Sequence, residues 1–218
     1  MIAAMRTVLR YAIMFFFNLL PLVMVGVGVW RPFDVMAFYW VELIAILGFT
    51  LLKLFVTVVY DLYHRKYARV AGGFATLVFF PLHYGFFIVM MCFLVGSFLP
   101  PETPTRPLDS PLVPLLVVME NMPFVEMLAL ATAWQAIYFC ADFLFPHAYA
   151  HDERSDFILR PYASLFAFFI SGFIGVWIMV GQGARIWGVV VLTALKTLIA
   201  FFETRHLLQK DAEENKAL

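Results

Sequence analysis

Six apolar stretches, each long enough to cross a bilayer, leave this chain few ways to fold. They run over about 9–30, 35–60, 70–99, 124–145, 161–181 and 184–207, and a helix needs about 20 mostly apolar residues to pass the hydrocarbon core. The runs are continuously apolar rather than alternating, so they read as helices and not as strands of a membrane barrel. Of 218 residues, 63% are hydrophobic and only 14% are charged, whereas an ordinary soluble domain is about 25% charged. A soluble fold of this length has too little interior to hide that much apolar surface. The composition excludes a cytosolic enzyme, a disordered chain and a secreted disulfide scaffold. It predicts an all-α, polytopic membrane helical bundle, a single transmembrane domain over 1–207 with a polar cytoplasmic tail at 208–218. A net charge of +0 offers no nucleic-acid-binding face. The expected partners are the lipid bilayer and, beyond it, other membrane subunits.

Prolines and basic residues give the runs their breaks and their direction. The segment 112–122 is also apolar, but joined to 124–145 it would be about 50 Å long, far more than one bilayer. A break is expected near Pro123, which makes 112–122 an interfacial or re-entrant piece. The first run, from Tyr11 to Trp30, exceeds the roughly 7–15 residues of a signal-peptide core and lacks an A-x-A-like site after it, so it reads as a retained span. Ten basic residues fall on one side of the six spans: Arg6, Arg10, Arg65, Lys66, Arg69, Arg154, Arg160, Arg205, Lys210 and Lys216. Three fall on the other: Arg31, Arg106 and Arg185. The excess predicts both termini in the cytoplasm and a multi-pass protein of the inner (plasma) membrane. Trp30, Trp40, Trp177 and Trp187 then lie towards the outer face as an aromatic belt.

An ionisable side chain inside a span costs a few kcal/mol or more, so it usually faces the interior and has a partner. Glu42 and Lys53 are eleven residues apart, close to three helical turns, and share one face of the second span. His83 is near the middle of the third span, Asp142 near the inner end of the fourth, and Lys196 and Glu203 seven residues apart in the sixth. Counting the helical rise puts Glu42, His83 and Lys196 in an outer-to-middle layer, and Lys53, Asp142 and Glu203 in the inner third. Two acid–base groupings at matched depth describe a buried polar interior. Its roles are open between hydrogen bonds that set helix register and a site that handles protons, binds an ion or does catalysis.

Metal ligation has weaker support. His147 and His151 are spaced i,i+4, and Glu203 and His206 i,i+3, so each pair shares a helix face. The Glu-x-x-His spacing is that of di-iron bundles, which need two copies, and only one is present. With His83, these histidines are the candidate metal ligands; no cofactor is specified. Cys92 and Cys140 have no neighbour at CxxC spacing and read as small buried hydrophobes. No HExxH, P-loop, GxGxxG or Gly-x-Ser-x-Gly pattern occurs.

Four short segments carry a family resemblance: Tyr39-Trp40-Val41-Glu42, His83-Tyr84-Gly85-Phe86-Phe87, Pro161-Tyr162 and Leu195-Lys196-Thr197. In order and spacing, over roughly residues 15–207, they resemble the uncharacterised integral-membrane family catalogued as domain of unknown function 6498. The resemblance implies a multi-span fold and points to Glu42, His83 and Lys196, but it implies no reaction. Where that family has Asn, a second His followed by Gly, and Arg, this chain has Leu43, Met91 followed by Cys92, and Ser164. Three functions remain in view. The first is a membrane protein with a metal- or proton-handling site at Glu42, His83 and Lys196. The second is an accessory subunit that packs and stabilises a larger membrane complex, and the third a small transporter.

Overall fold

The computed structural model describes residues 2–96, 113–120, 122–145, 148–150, 154–182 and 185–217. Among them the chain forms seven α-helices and no strand: α1 (Ile2–Gly26), α2 (Pro32–Tyr63), α3 (Tyr67–Gly96), α4 (Val113–Glu120), α5 (Phe124–Phe139), α6 (Arg154–Gln182) and α7 (Arg185–Ala217). A π-helical turn, Cys140–Leu144, extends α5, and a 3-10 turn covers Ala148–Ala150. Among the described residues, Pro32–Tyr63, Tyr67–Gly96 and Phe157–Ile174 are long and apolar enough to cross a membrane. The apolar stretches Met14–Gly26, Phe124–Phe139 and Ile186–Phe202 are shorter.

Local chemistry sets the helix ends. At the close of α1, Gly28 adopts φ +75°. There the Val29 N–H returns to the Met24 carbonyl at 2.9 Å and the Gly28 N–H to the Val25 carbonyl at 3.0 Å, the paired bonds of a Schellman cap. The end of α2 repeats the pattern with the Lys66 N–H on the Asp61 carbonyl and the Arg65 N–H on the Leu62 carbonyl. The left-handed residue is now Arg65, at φ 57°. A side chain in that region costs about 1–2 kcal/mol relative to glycine. Arg65→Gly is therefore expected to stabilise the chain by about 1 kcal/mol, measured as a raised midpoint of denaturation in detergent. A lowered midpoint would contradict this account of the turn.

The start of α2 is capped in two ways. Pro32 occupies the first helical position, where its missing N–H costs nothing. Asp34 reaches back to the Arg31 backbone N–H at 2.8 Å and clasps the Arg31 guanidinium with bonds of 3.0 and 2.8 Å. That carboxylate bond raises the Arg31 pKa above its ordinary value. A base raised on folding contributes fully below its unfolded pKa and loses the contribution only as pH climbs through the folded one. Both lie above the working range, so Arg31 remains a cation throughout it. Asp34→Ala is expected to cost about 1 kcal/mol through loss of the cap.

The chain divides into two compact units, Met1–Val35 with Ala167–Leu218, and Met36–Phe166. In the first, α1 packs along α7, with the rings of Tyr11 and Phe201 5.5 Å apart. In the second, three residues separate α2 from α3, so the two form an antiparallel hairpin. Trp40 and Ile88 are nearly equidistant from that turn, and the Trp40 indole N–H donates to the Ile88 carbonyl at 2.8 Å. Phe49, Phe139, Phe143 and Phe157 join α2, the α5 region and α6 through ring contacts. The expected break near Pro123 is present: α4 ends at Glu120, and α5 starts at Phe124 after a turn in which the Phe124 N–H meets the Met122 carbonyl. The polar tail after 207 continues α7 to Ala217.

Candidate functional site

The second unit carries a histidine–tyrosine pair set among aromatic rings. His83 Nδ1 is 2.8 Å from the Tyr162 hydroxyl, joining α3 to α6. One residue on, the Tyr84 hydroxyl donates to the Pro161 carbonyl at 3.3 Å. The adjacent residues 83–84 and 161–162 thus make two crosslinks between the same helices. Both helices contain proline, Pro81 in α3 and Pro161 in α6. Proline removes a backbone donor and leaves the carbonyl four residues earlier without its helical bond.

Rings surround the pair. Phe79 stacks on His83 at 5.2 Å, and Phe87 meets it edge-on at 5.2 Å. Tyr162 is 6.0 Å from Phe80 and 5.6 Å from Tyr84, both edge-on. Spacing of i,i+4 and i,i+8 places Phe79, His83 and Phe87 on one stripe of α3. Tyr84, about 100° around the helix, belongs to the packed stripe with Phe80, Ile88, Met91, Cys92 and Val95.

The two stripes correct the expectation that His83 is buried: its side chain is exposed. Apolar residues supply both the packed and the outward faces of α3, so hydrophobic pattern alone does not reveal the inward one. On the outward face Phe79, Leu82 and Phe86 are all more than 60% exposed. Glu42 is buried, on α2 in the second unit, and Lys53 is half-buried on the same helix. Lys196 is buried on α7, in the first unit. The side chains of Asp142, Glu203 and His206, and the residues His147 and His151, lie outside the described residues.

Among the described residues, no group of three or more His, Cys, Asp or Glu side chains comes together as metal ligands would. His83 has instead the Tyr162 phenol and the rings of Phe79 and Phe87 for neighbours. Tyr162 is the residue that the reading of ionisable groups missed, because a tyrosine in an apolar run reads as packing. Its signal was the Pro161-Tyr162 segment of the family resemblance. Chemically, the pair holds an exposed imidazole by Nδ1, with no described hydrogen-bond partner at Nε2, amid rings that carry no charge.

No curated protein and no solved structure matches the chain. The resemblance carried by the Glu42, His83, Pro161-Tyr162 and Lys196 segments is borne out over the whole length: the model of DUF6498, a family of unknown function, matches residues 1–218, and the chain belongs to that family.

Proposed function

We propose that this chain is a six-span protein of the inner (plasma) membrane, with both termini cytoplasmic, that handles protons at polar side chains within its spans. The observation that carries the reading is the 2.8 Å bond between His83 and Tyr162 in the middle of an apolar helix. An imidazole is the side chain whose proton exchanges most readily near neutral pH, and a polar group at membrane depth is a functional site by default. Nδ1 anchors the ring on Tyr162, and Nε2 exchanges the proton. Glu42 in the second unit and Lys196 in the first are buried and also bear protons. The metal version of the site has less support, since rings rather than ligands surround His83.

Topology and activity are tested separately. In a chain lacking Cys92 and Cys140, Arg65→Cys and Ser110→Cys are expected to react with membrane-impermeant thiol reagents from opposite faces. Reaction from the same face removes the six-span arrangement. Vesicles loaded with a pH-sensitive dye are expected to show proton flux above protein-free vesicles. That excess falls at least tenfold in His83→Phe; equal flux in the two proteins rejects the proton reading.

A second reading, an accessory subunit of a membrane complex, is favoured by the exposure of His83 itself. A polar group on the outside of an apolar helix suits contact with another polypeptide. Native mass analysis after mild solubilisation would then find the chain bound to other subunits, and a lone monomer opposes this.

A further inference from the structure

We infer that the exposed face of His83 binds the head of a lipid-soluble quinone and its quinol. The inference rests on the reading that α3 crosses the bilayer. At 1.5 Å per residue His83 is about 24 Å from Tyr67 and about 20 Å from Gly96 along α3, near its midpoint. The hydrocarbon core is about 30 Å thick, so phospholipid ester and phosphate oxygens lie about 15 Å from a group at that depth. Yet the only hydrogen bond of the imidazole among the described residues is made at Nδ1. An imidazole nitrogen left unsatisfied in hydrocarbon costs several kcal/mol. A small molecule that meets Nε2 must itself be soluble in the membrane interior.

Two features select the chemistry of that group. The first is the setting of the imidazole, whose ring lies 5.2 Å from those of both Phe79 and Phe87 and 5.7 Å from that of Tyr162, all uncharged. Such a setting suits a neutral, flat ring by offset or edge contact. The second is the reversibility of the His83–Tyr162 bond. When Tyr162 O–H donates to Nδ1, the ring proton sits on Nε2, which then donates to a carbonyl oxygen. When Nδ1–H donates to the Tyr162 oxygen, Nε2 becomes an acceptor for a hydroxyl. A quinone presents the carbonyl and a quinol the hydroxyl, so rotation of one phenol hydrogen and a change of tautomer fit the pair to both forms. Fatty alcohols and diacylglycerols lack the ring, and ionic ligands meet no counter-charge.

The test uses the full chain in nanodiscs of saturated phosphatidylcholine, with a decyl-substituted benzoquinone and its quinol as probes. Wild-type protein is expected to bind both saturably, above the partition into protein-free discs. It is also expected to shift the quinone carbonyl stretch to lower wavenumber. His83→Phe should weaken binding at least tenfold and abolish the shift; tenfold is about 1.4 kcal/mol, the scale of one hydrogen bond. Tyr162→Phe should weaken it severalfold.

No saturable excess in wild type, or equal affinity in His83→Phe, overturns the inference. A wild-type dimer that dissociates in His83→Phe also overturns it, because a second copy then covers the face. If His83→Phe does not fold, Tyr162→Phe and Phe79→Leu carry the test, and unchanged affinity in both is fatal. Binding without proton flux supports the ligand site and removes only the proton reading. Flux without binding does the reverse.

Discussion

Trp40→Ala is expected to destabilise the protein by about 3 kcal/mol or more, read from denaturation monitored by circular dichroism in detergent. Trp40 is 1% exposed, and its indole N–H donates to the Ile88 carbonyl at 2.8 Å. Truncation removes the largest fully buried side chain at the α2–α3 seam and leaves a cavity there, a change that typically costs about 3–5 kcal/mol. In a lipid environment the loss is mainly one of packing contacts and the hydrogen bond, because hydrocarbon solvates an apolar residue as well as the interior does. Trp40→Phe separates these terms. It keeps most of the volume and loses the donor, so about 1 kcal/mol is expected. If Trp40→Ala unfolds within 0.5 kcal/mol (roughly the scatter of a surface substitution) of wild type, the hairpin is not held there.

Tyr84→Ala should come second, at about 3 kcal/mol by the same cavity argument. The Tyr84 side chain is fully buried, stacked on Phe80 at 5.2 Å and edge-on to Tyr162 at 5.6 Å. Its hydroxyl bond to the Pro161 carbonyl is long, at 3.3 Å, so Tyr84→Phe is expected to cost under about 1 kcal/mol. The gap opened by alanine adjoins Tyr162, which holds His83. Tyr84→Ala should therefore also weaken any ligand or proton readout at His83, while Tyr84→Phe leaves it intact. Because Ile88 is one turn from Tyr84, Trp40→Ala and Tyr84→Ala should couple rather than add, which a double-mutant cycle measures.

Much of the helix plan was legible in the residue order, because the signals are local. Pro123 predicts the break between α4 and α5, since a proline there interrupts a run too long for one span. The structure adds the chemistry of the ends, Pro32 and Asp34 at the start of α2 and Gly28 in the turn after α1. Arg65 gives no such signal: a cap usually made by glycine is held here by an arginine, which only backbone geometry reveals. The end of the apolar run at 207 does not end α7, which continues to Ala217. The tail QKDAEENKAL is polar but rich in good helix formers, so losing hydrophobicity did not end the helix.

The candidate site was legible only in part. The unusual residue types drew notice to Glu42, His83 and Lys196, and the first and last are buried. For His83 the side of the helix was wrong. In an amphipathic soluble helix the polar face identifies solvent; α3 is apolar all around, so its sequence does not distinguish the packed stripe from the exposed one. Tyr162 is 79 positions from its partner, and no short-range rule links the two.

Residue order alone settles that the chain is helical, where most helices break, and which side chains sit uneasily in apolar surroundings. Those properties depend on backbone sterics and on the cost of burying a charge, both set by a residue and its near neighbours. It took the packing of α3 against α6 to turn His83 outward and bond it to Tyr162. Rings of similar size line both faces of α3, and only the complementary surface of another helix chooses between them.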